Sequence, residues 1–216
     1  MNTDFARLQM VNQQVRGWNV YDEHVLTALR ELPRERFVPA GYEALAFADT
    51  AIAIGHGQHM MTPTLEGRVL QALNLGGDER VLEVGTGSGF LTACLASLGA
   101  HVTSIDIYDD FLTAAAKTLA ECEIDNVELL QMDAMQALPE GRFDAIAITG
   151  SVQSFDPRFV KALAPRGKLF IVEGDPPAMH AKLVERLDDR DWHTVSLFET
   201  NLAPLVHGAL PPQFLF

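Results

Sequence analysis

Three observations place this sequence in the α/β class, with a doubly wound, mostly parallel sheet behind an N-terminal helical extension. Strand-like runs alternate with helical stretches from Arg80 onward, a glycine-rich turn joins the first of these strands to the first of these helices, and two amphipathic patterns precede them. Strands that alternate with helices over short connections imply right-handed crossovers and a parallel sheet covered on both faces.

Phe5, Leu8, Val11, Val15 and Trp18 recur at steps of three and four after the candidate caps Thr3 and Asp4, which predicts an amphipathic helix. A second helix is predicted from about Asp22 to Leu32, ended by Pro33. The segment 33-PRERFVPAGYEALAFADTAIAIGHGQHMM-61 has two prolines, several glycines and no sustained period, so it reads as loop with short elements. Irregular stretches of that length inside a domain are usually functional. Thr62-Pro63 then opens a helix, with Thr at the N-cap, Pro at the first helical position, and Leu65, Val69, Leu70 and Leu73 as its apolar stripe.

Strands are predicted at 81-VLEV-84, 102-VTSID-106, 127-VELLQ-131, 144-DAIAIT-149 and 169-LFIVE-173, alternating with helices at about 89–98, 109–122, 156–163 and 177–188. A late strand, 192-WHTVSLFE-199, is expected to close the sheet antiparallel. The apolar end 209-ALPPQFLF-216 reads as a strand edge or packed tail.

A length of 216 residues suits one core, so a single domain, 1–216, is expected, divided into an N-terminal covering part (1–61) and a core (62–216). Hydrophobic residues at 48% and charged residues at 21% are ordinary globular values. No apolar run approaches the roughly 18 residues of a membrane span, and the N-terminus lacks a signal core, so no membrane partner and a cytoplasmic location are expected. Cys94 and Cys122 lack metal or redox spacing and read as buried thiols, with no metal site expected. A net charge of -13, with 16 scattered Lys and Arg, opposes a nucleic-acid partner.

In a doubly wound sheet the ligand sits beyond the carboxyl ends of the strands, and Gly85-Thr86-Gly87-Ser88-Gly89 is the turn at that place. Glycines there let a ligand approach the backbone, and the following helix offers free N–H groups. A P-loop would need Lys then Ser or Thr after the last glycine, where Phe90-Leu91 stand. The Rossmann dinucleotide fingerprint GxGxxG would place its third glycine at Phe90, whereas this loop is GxGxG. Glu83, at the strand end, puts a carboxylate beside the loop, which suits a cation better than a pyrophosphate. That favours S-adenosylmethionine, with its ammonium and sulfonium. Asp106 ends the second strand, where a carboxylate can accept both ribose hydroxyls, and Asp133 ends the third, where it can accept from an adenine amino group.

Through 81-VLEVGTGSG-89 the sequence resembles the class I S-adenosylmethionine-dependent methyltransferases. With 33-PRERFVP-39, 48-ADTAIAIGHGQ-58, 143-FDAI-146 and 204-PLVHG-208 in the same order, it resembles more specifically the protein-L-isoaspartate O-methyltransferase family. The resemblance implies a Rossmann-like seven-stranded methyltransferase sheet with the irregular N-terminal segment lying over the cofactor. It implies Glu83, Gly85, Thr86, Gly87, Ser88, Gly89, Asp106, Ile107, Asp133 and Ala134 as cofactor-binding residues. It implies methylation of isoaspartyl carboxylates in damaged protein or peptide.

The sequence departs from the family on the substrate side. After the Gly-Gln pair the family usually reads Thr-Ile-Ser-x-Pro, and this chain reads 59-HMMTP-63, with Met61 at the serine position. The turn after the fourth strand is 149-TGSVQ-153 and the late motif is 203-APL-205, where the family has Gly-Ala-Ala-like and Val-Pro-Leu patterns. Thr62 and His59 are the candidate catalytic groups: Thr62 could supply the missing hydroxyl, although capping competes for it, and His59 could donate to a carboxylate or assist a hydroxyl. His56 reads as a solvent-facing loop residue. A different acceptor, such as a small molecule methylated on oxygen or nitrogen, and a non-catalytic S-adenosylmethionine-binding protein remain alternatives. Oligomeric state is not readable from the sequence.

Overall fold

The structure, a computed structural model, describes residues 3–188 and 190–208. The expectation for 209–216 lies outside the described residues. The first helix, α1 (Thr3–Gln9), continues as a wide turn through Val15 and a tight turn through Trp18, burying Met10, Val11 and Val15. Helix α2 (Glu23–Glu31) starts at Asp22, whose carboxylate accepts from the His24 and Val25 N–H groups, and it buries Val25, Leu26 and Leu29. The 33–61 stretch contains two single turns and a small antiparallel hairpin, β1 (Ile52–Gly55) and β2 (Gln58–Met60). Helix α3 (Pro63–Leu73) is capped by Thr62 as expected: Thr62 Oγ1 accepts from Leu65 N at 3.3 Å.

The main sheet holds β3 (Arg80–Val84), β4 (His101–Asp106), β5 (Val127–Gln131), β6 (Phe143–Val152), β7 (Leu163–Asp175), β8 (Ala178–Arg186) and β9 (Trp192–Thr200), in the order β5-β4-β3-β6-β7-β8-β9. The five strands from β5 to β7 are parallel, and β8 runs antiparallel to both neighbours. This is the expected seven-stranded, mostly parallel methyltransferase sheet. Helices α4 (Phe90–Leu98), α5 (Asp109–Glu121) and the short α6 (Pro157–Lys161) fill the crossovers.

One core layer joins Leu26, Leu29, Leu70 and Phe90 to the Val81, Val102 and Phe170 side of the sheet. The other joins Leu82, Ile105 and Ile148 to Phe159 and Leu163. Burial on both faces explains why the parallel strands are nearly continuous apolar runs.

The helix expected at 177–188 is instead β8. Met179, Ala181, Val184 and Arg186 are buried between less buried neighbours, close to a two-residue alternation, while the strand pairs with β7 on one side and β9 on the other. Its Ala, Lys, Leu and Glu residues are good helix formers, but pairing on both edges overrides that weak local preference. The turn expected after the fourth strand is likewise the continuation of β6 to Val152.

Candidate active site

The switch point lies where β3 and β4 end side by side. Gly85, Gly87 and Gly89 all take positive φ. At Gly85 an added Cβ would lie 2.1 Å from Thr149 Oγ1, whose hydroxyl donates to the Val84 and Gly85 carbonyls at 2.9 Å each. At Gly89 it would lie 2.8 Å from Ala115 Cβ, so that glycine lets α4 and α5 approach.

Asp106 locks the loop: Oδ2 accepts from Gly87 N at 2.9 Å and Oδ1 from Tyr108 N at 3.0 Å. Burial pushes its carboxyl upward, against the pull of these backbone donors. Each oxygen keeps a lone pair for a further donor. Asp133 is held by Met135 N at 2.9 Å, Gln136 Nε2 at 2.8 Å and the His207 ring at 2.8 Å. Its burial alone would raise the carboxyl pKa, but the His207, Met135 and Gln136 contacts outweigh it and hold the value below the ordinary one.

A cavity of about 410 Å³ opens against this rim. Of the sequence-predicted cofactor residues, Gly85, Gly87, Asp106, Ile107, Asp133 and Ala134 line it, and Glu83, Thr86, Ser88 and Gly89 do not. Glu83 was expected to present its carboxylate to the ligand, but strand alternation turns it away from the cavity. Its Oε2 accepts from Thr92 Oγ1 at 2.5 Å and Ser104 Oγ at 2.6 Å, and Ser104 in turn pairs with Thr86 Oγ1 at 2.6 Å. Burial raises its pKa to about 8. Glu83 and Thr86 thus brace the loop from beneath. Ser88 Oγ accepts from Phe90 N at 3.4 Å, at the start of α4.

The hairpin β1–β2 lies over the loop, with Ile54 Cδ1 3.2 Å from where a Cβ on Gly87 would be. At its tip His56 stacks on Tyr108, with centroids 4.0 Å apart, and reaches Asp110 Oδ2 at 2.9 Å. The expectation that His56 only faces solvent is corrected: it docks the cover on the start of α5, and its hydrogen bond lowers the Asp110 pKa.

The opposite wall carries His59, Met60, Met61 and Thr62 from the segment after the hairpin. His59 is exposed on this wall; Met60 and Met61 are 4% and 8% exposed. The Thr62 hydroxyl is engaged: it accepts from Leu65 N and lies 3.0 Å from Thr64 Oγ1, which donates to Asp49 Oδ1 at 2.7 Å. The wall is completed by the two other segments that the resemblance places on the substrate side, 149–153 and 203–205, extended to 201–206. Thr149 and Gly150 come from β6, and 201–206 form a strap fixed by Ser151, whose N–H donates to Ala203 O and whose carbonyl accepts from Leu205 N. Gly150 permits this approach, since a Cβ there would meet Leu205 Cδ2 at 2.7 Å. The resemblance marks 203–205 as substrate side, but its pairing with Ser151, about fifty residues away in sequence, has no local signal. Among the described residues no group of three or more His, Cys, Asp or Glu could hold a metal ion, and no helix is long and apolar enough to cross a membrane.

The family model described as protein-L-isoaspartate(D-aspartate) O-methyltransferase matches residues 7–209. A relative of that name from Rhodopseudomonas palustris is 35% identical over 208 residues, covering 94% of this chain and 85% of the relative. Another from Anaeromyxobacter dehalogenans is 37% identical over 196 residues, covering 89% and 93%. Among solved structures, a Plasmodium falciparum chain assigned to the same enzymes, in complex with S-adenosyl-L-homocysteine, superposes with a TM-score of 0.80 at 21% identity, covering 95% of this chain and 99% of that one.

Proposed function

The chain belongs to the protein-L-isoaspartate(D-aspartate) O-methyltransferase family, and from that premise we infer that it transfers a methyl group from S-adenosylmethionine to the carboxylate of isoaspartyl residues in damaged protein or peptide. It is an S-adenosylmethionine-dependent methyltransferase. The observation that carries the reading is one cavity bounded on one side by Gly85, Asp106 and Asp133 and on the other by His59 to Thr62. We read the chain as one unit, with 1–61 covering and 62–216 holding the cofactor.

The residues present fit that cofactor. Asp106 keeps lone pairs for two ribose hydroxyls, and Asp133, held in its ionised form, faces the same space. Carboxylates at Asp106 and Asp133 in the lining favour a cationic ligand over a pyrophosphate. When bound, the cofactor supplies an electrophilic sulfonium methyl. A carboxylate acceptor with a pKa of about 4 is already ionised at neutral pH and needs no general base. This accords with a site wall that has no acid–base pair at His59 or Thr62. The chain's work is to align the acceptor and exclude water, for which the hairpin and the strap supply the cover. The likeness of the chain to its relatives extends through both walls, so neither another acceptor nor a non-catalytic role is favoured.

The test is transfer of labelled methyl from S-adenosylmethionine to an isoaspartyl peptide, with the normal aspartyl peptide as control. A base-labile ester on the isoaspartyl form alone is expected. Absence of transfer from protein that binds S-adenosylhomocysteine would reject this acceptor.

A further inference from the structure

Arg34 is fully buried in the turn that follows α2, and its side chain meets four separate parts of the molecule. Nε donates to Ala46 O at 2.8 Å, Nη2 donates to Met61 O at 2.7 Å, and Nη1 pairs with Glu66 of α3. The guanidinium also lies 4.8 Å from the centroid of Phe90, the first residue after the glycine loop. Glu66 is as buried as its partner, with side-chain exposures of 0% and 2%.

A buried ion pair is weak support for stability, because an apolar pair of similar volume often serves as well or better. What the apolar pair cannot supply is a donor for the Met61 carbonyl. That carbonyl belongs to the peptide joining Met61 to Thr62, at the centre of the acceptor wall. On its far side the Thr62 hydroxyl is fixed by Leu65 N and Thr64. With both ends held, the peptide plane has one orientation, which sets how Met61 enters the cavity and where His59 and Met60 stand. The same guanidinium rests on Phe90, so acceptor wall and cofactor loop share one rigid joint.

We propose that Arg34, with Glu66 as its counter-ion, is a positioning residue for methyl transfer, holding the 59–62 segment in register with the glycine loop through the Met61 carbonyl. The inference rests on the methyl-transfer reading above and deepens it: acceptor geometry is set by a buried cation that touches neither substrate nor cofactor.

The experiment compares wild type, the double variant Arg34→Met/Glu66→Met and the single variant Arg34→Lys. The double variant removes both charges and is expected to fold and to bind S-adenosylhomocysteine within about twofold of wild type. Its kcat/KM for the isoaspartyl peptide falls about tenfold, and the KM for S-adenosylmethionine is unmoved. Arg34→Lys keeps the charge opposite Glu66 but not the fork that reaches Ala46 and Met61, so it shows the same selective loss. If the double variant does not fold, Arg34→Lys decides alone. Amide hydrogen exchange is read in parallel, and faster exchange across 59–62 with unchanged exchange across 81–106 is expected. Wild-type peptide kinetics and wild-type exchange in the variants would overturn the proposal. A wild-type enzyme inactive on the peptide would instead refute the acceptor assignment, and the exchange comparison would still decide whether Arg34 holds the segment.

Discussion

The two walls of the cavity are built from different materials. On the proposed cofactor side, the lining comes from three neighbouring strand ends between Val84 and Met135, where Gly85 and Gly87 take positive φ and the carboxylates of Asp106 and Asp133 are pinned by backbone N–H groups. On the acceptor side, the surface is side chains gathered from 58–62, from 149–150 and from 201–206, with apolar Met60, Met61 and Leu205 prominent. Glycines at positive φ and carboxylates pinned by backbone N–H groups are tied to the backbone path, whereas a wall gathered from separate side chains can be altered one residue at a time. That difference accords with a chain whose glycine loop keeps the general methyltransferase pattern while Met61 stands where the family resemblance implies a serine.

Substitutions separate the two walls, and the largest effect is expected where backbone itself is blocked. In Gly85→Ala the new methyl meets Thr149 Oγ1 on a residue at φ +97, so loss of affinity for S-adenosylhomocysteine of at least about a hundredfold is expected by calorimetry. Near-normal binding would mean that the loop can move away from β6. Asp106→Ala removes the proposed acceptor of the ribose hydroxyls and the Gly87 anchor together, and a loss of about 10- to 100-fold in cofactor affinity should follow, with peptide KM little changed. Unchanged cofactor affinity in the folded variant would refute the placement of the ribose.

A smaller effect concerns stability. Glu83 has a folded pKa raised by burial from 4.5 to about 8. The stability it contributes is therefore fully present below pH 4.5 and is lost as the pH rises towards 8, at up to about 1.4 kcal/mol per pH unit. Glu83→Gln should flatten the denaturant-derived stability profile between pH 5 and 8, and a slope equal to that of wild type would show that Glu83 is ionised in the fold. The smallest change is expected for His59→Ala, with peptide kcat/KM within about threefold of wild type because an ionised acceptor needs no base. A hundredfold fall would make His59 part of the chemistry.

Legibility followed the range of the interactions. The Thr62-Pro63 helix start, the glycine turn and the acids at the ends of β4 and β5 are local patterns, and each stands where the sequence places it. The direction of Glu83 is not carried by the loop pattern but by strand parity, which sends Val84 to the cavity and Glu83 beneath it. The 178–186 strand was hidden by helix-forming residues whose partners lie in β7 and β9. The His56 clasp on Tyr108, the 201–206 strap and the Arg34–Glu66 joint each unite residues that only the folded chain brings together.

The difference between the two walls is tested most directly by Met61→Ser, measured for S-adenosylhomocysteine affinity and for isoaspartyl-peptide turnover in the same preparation. A serine hydroxyl aimed at the acceptor carboxylate should raise peptide kcat/KM about tenfold and leave cofactor affinity unchanged. A shift in cofactor affinity alongside turnover, or a fall in turnover, would contradict the account.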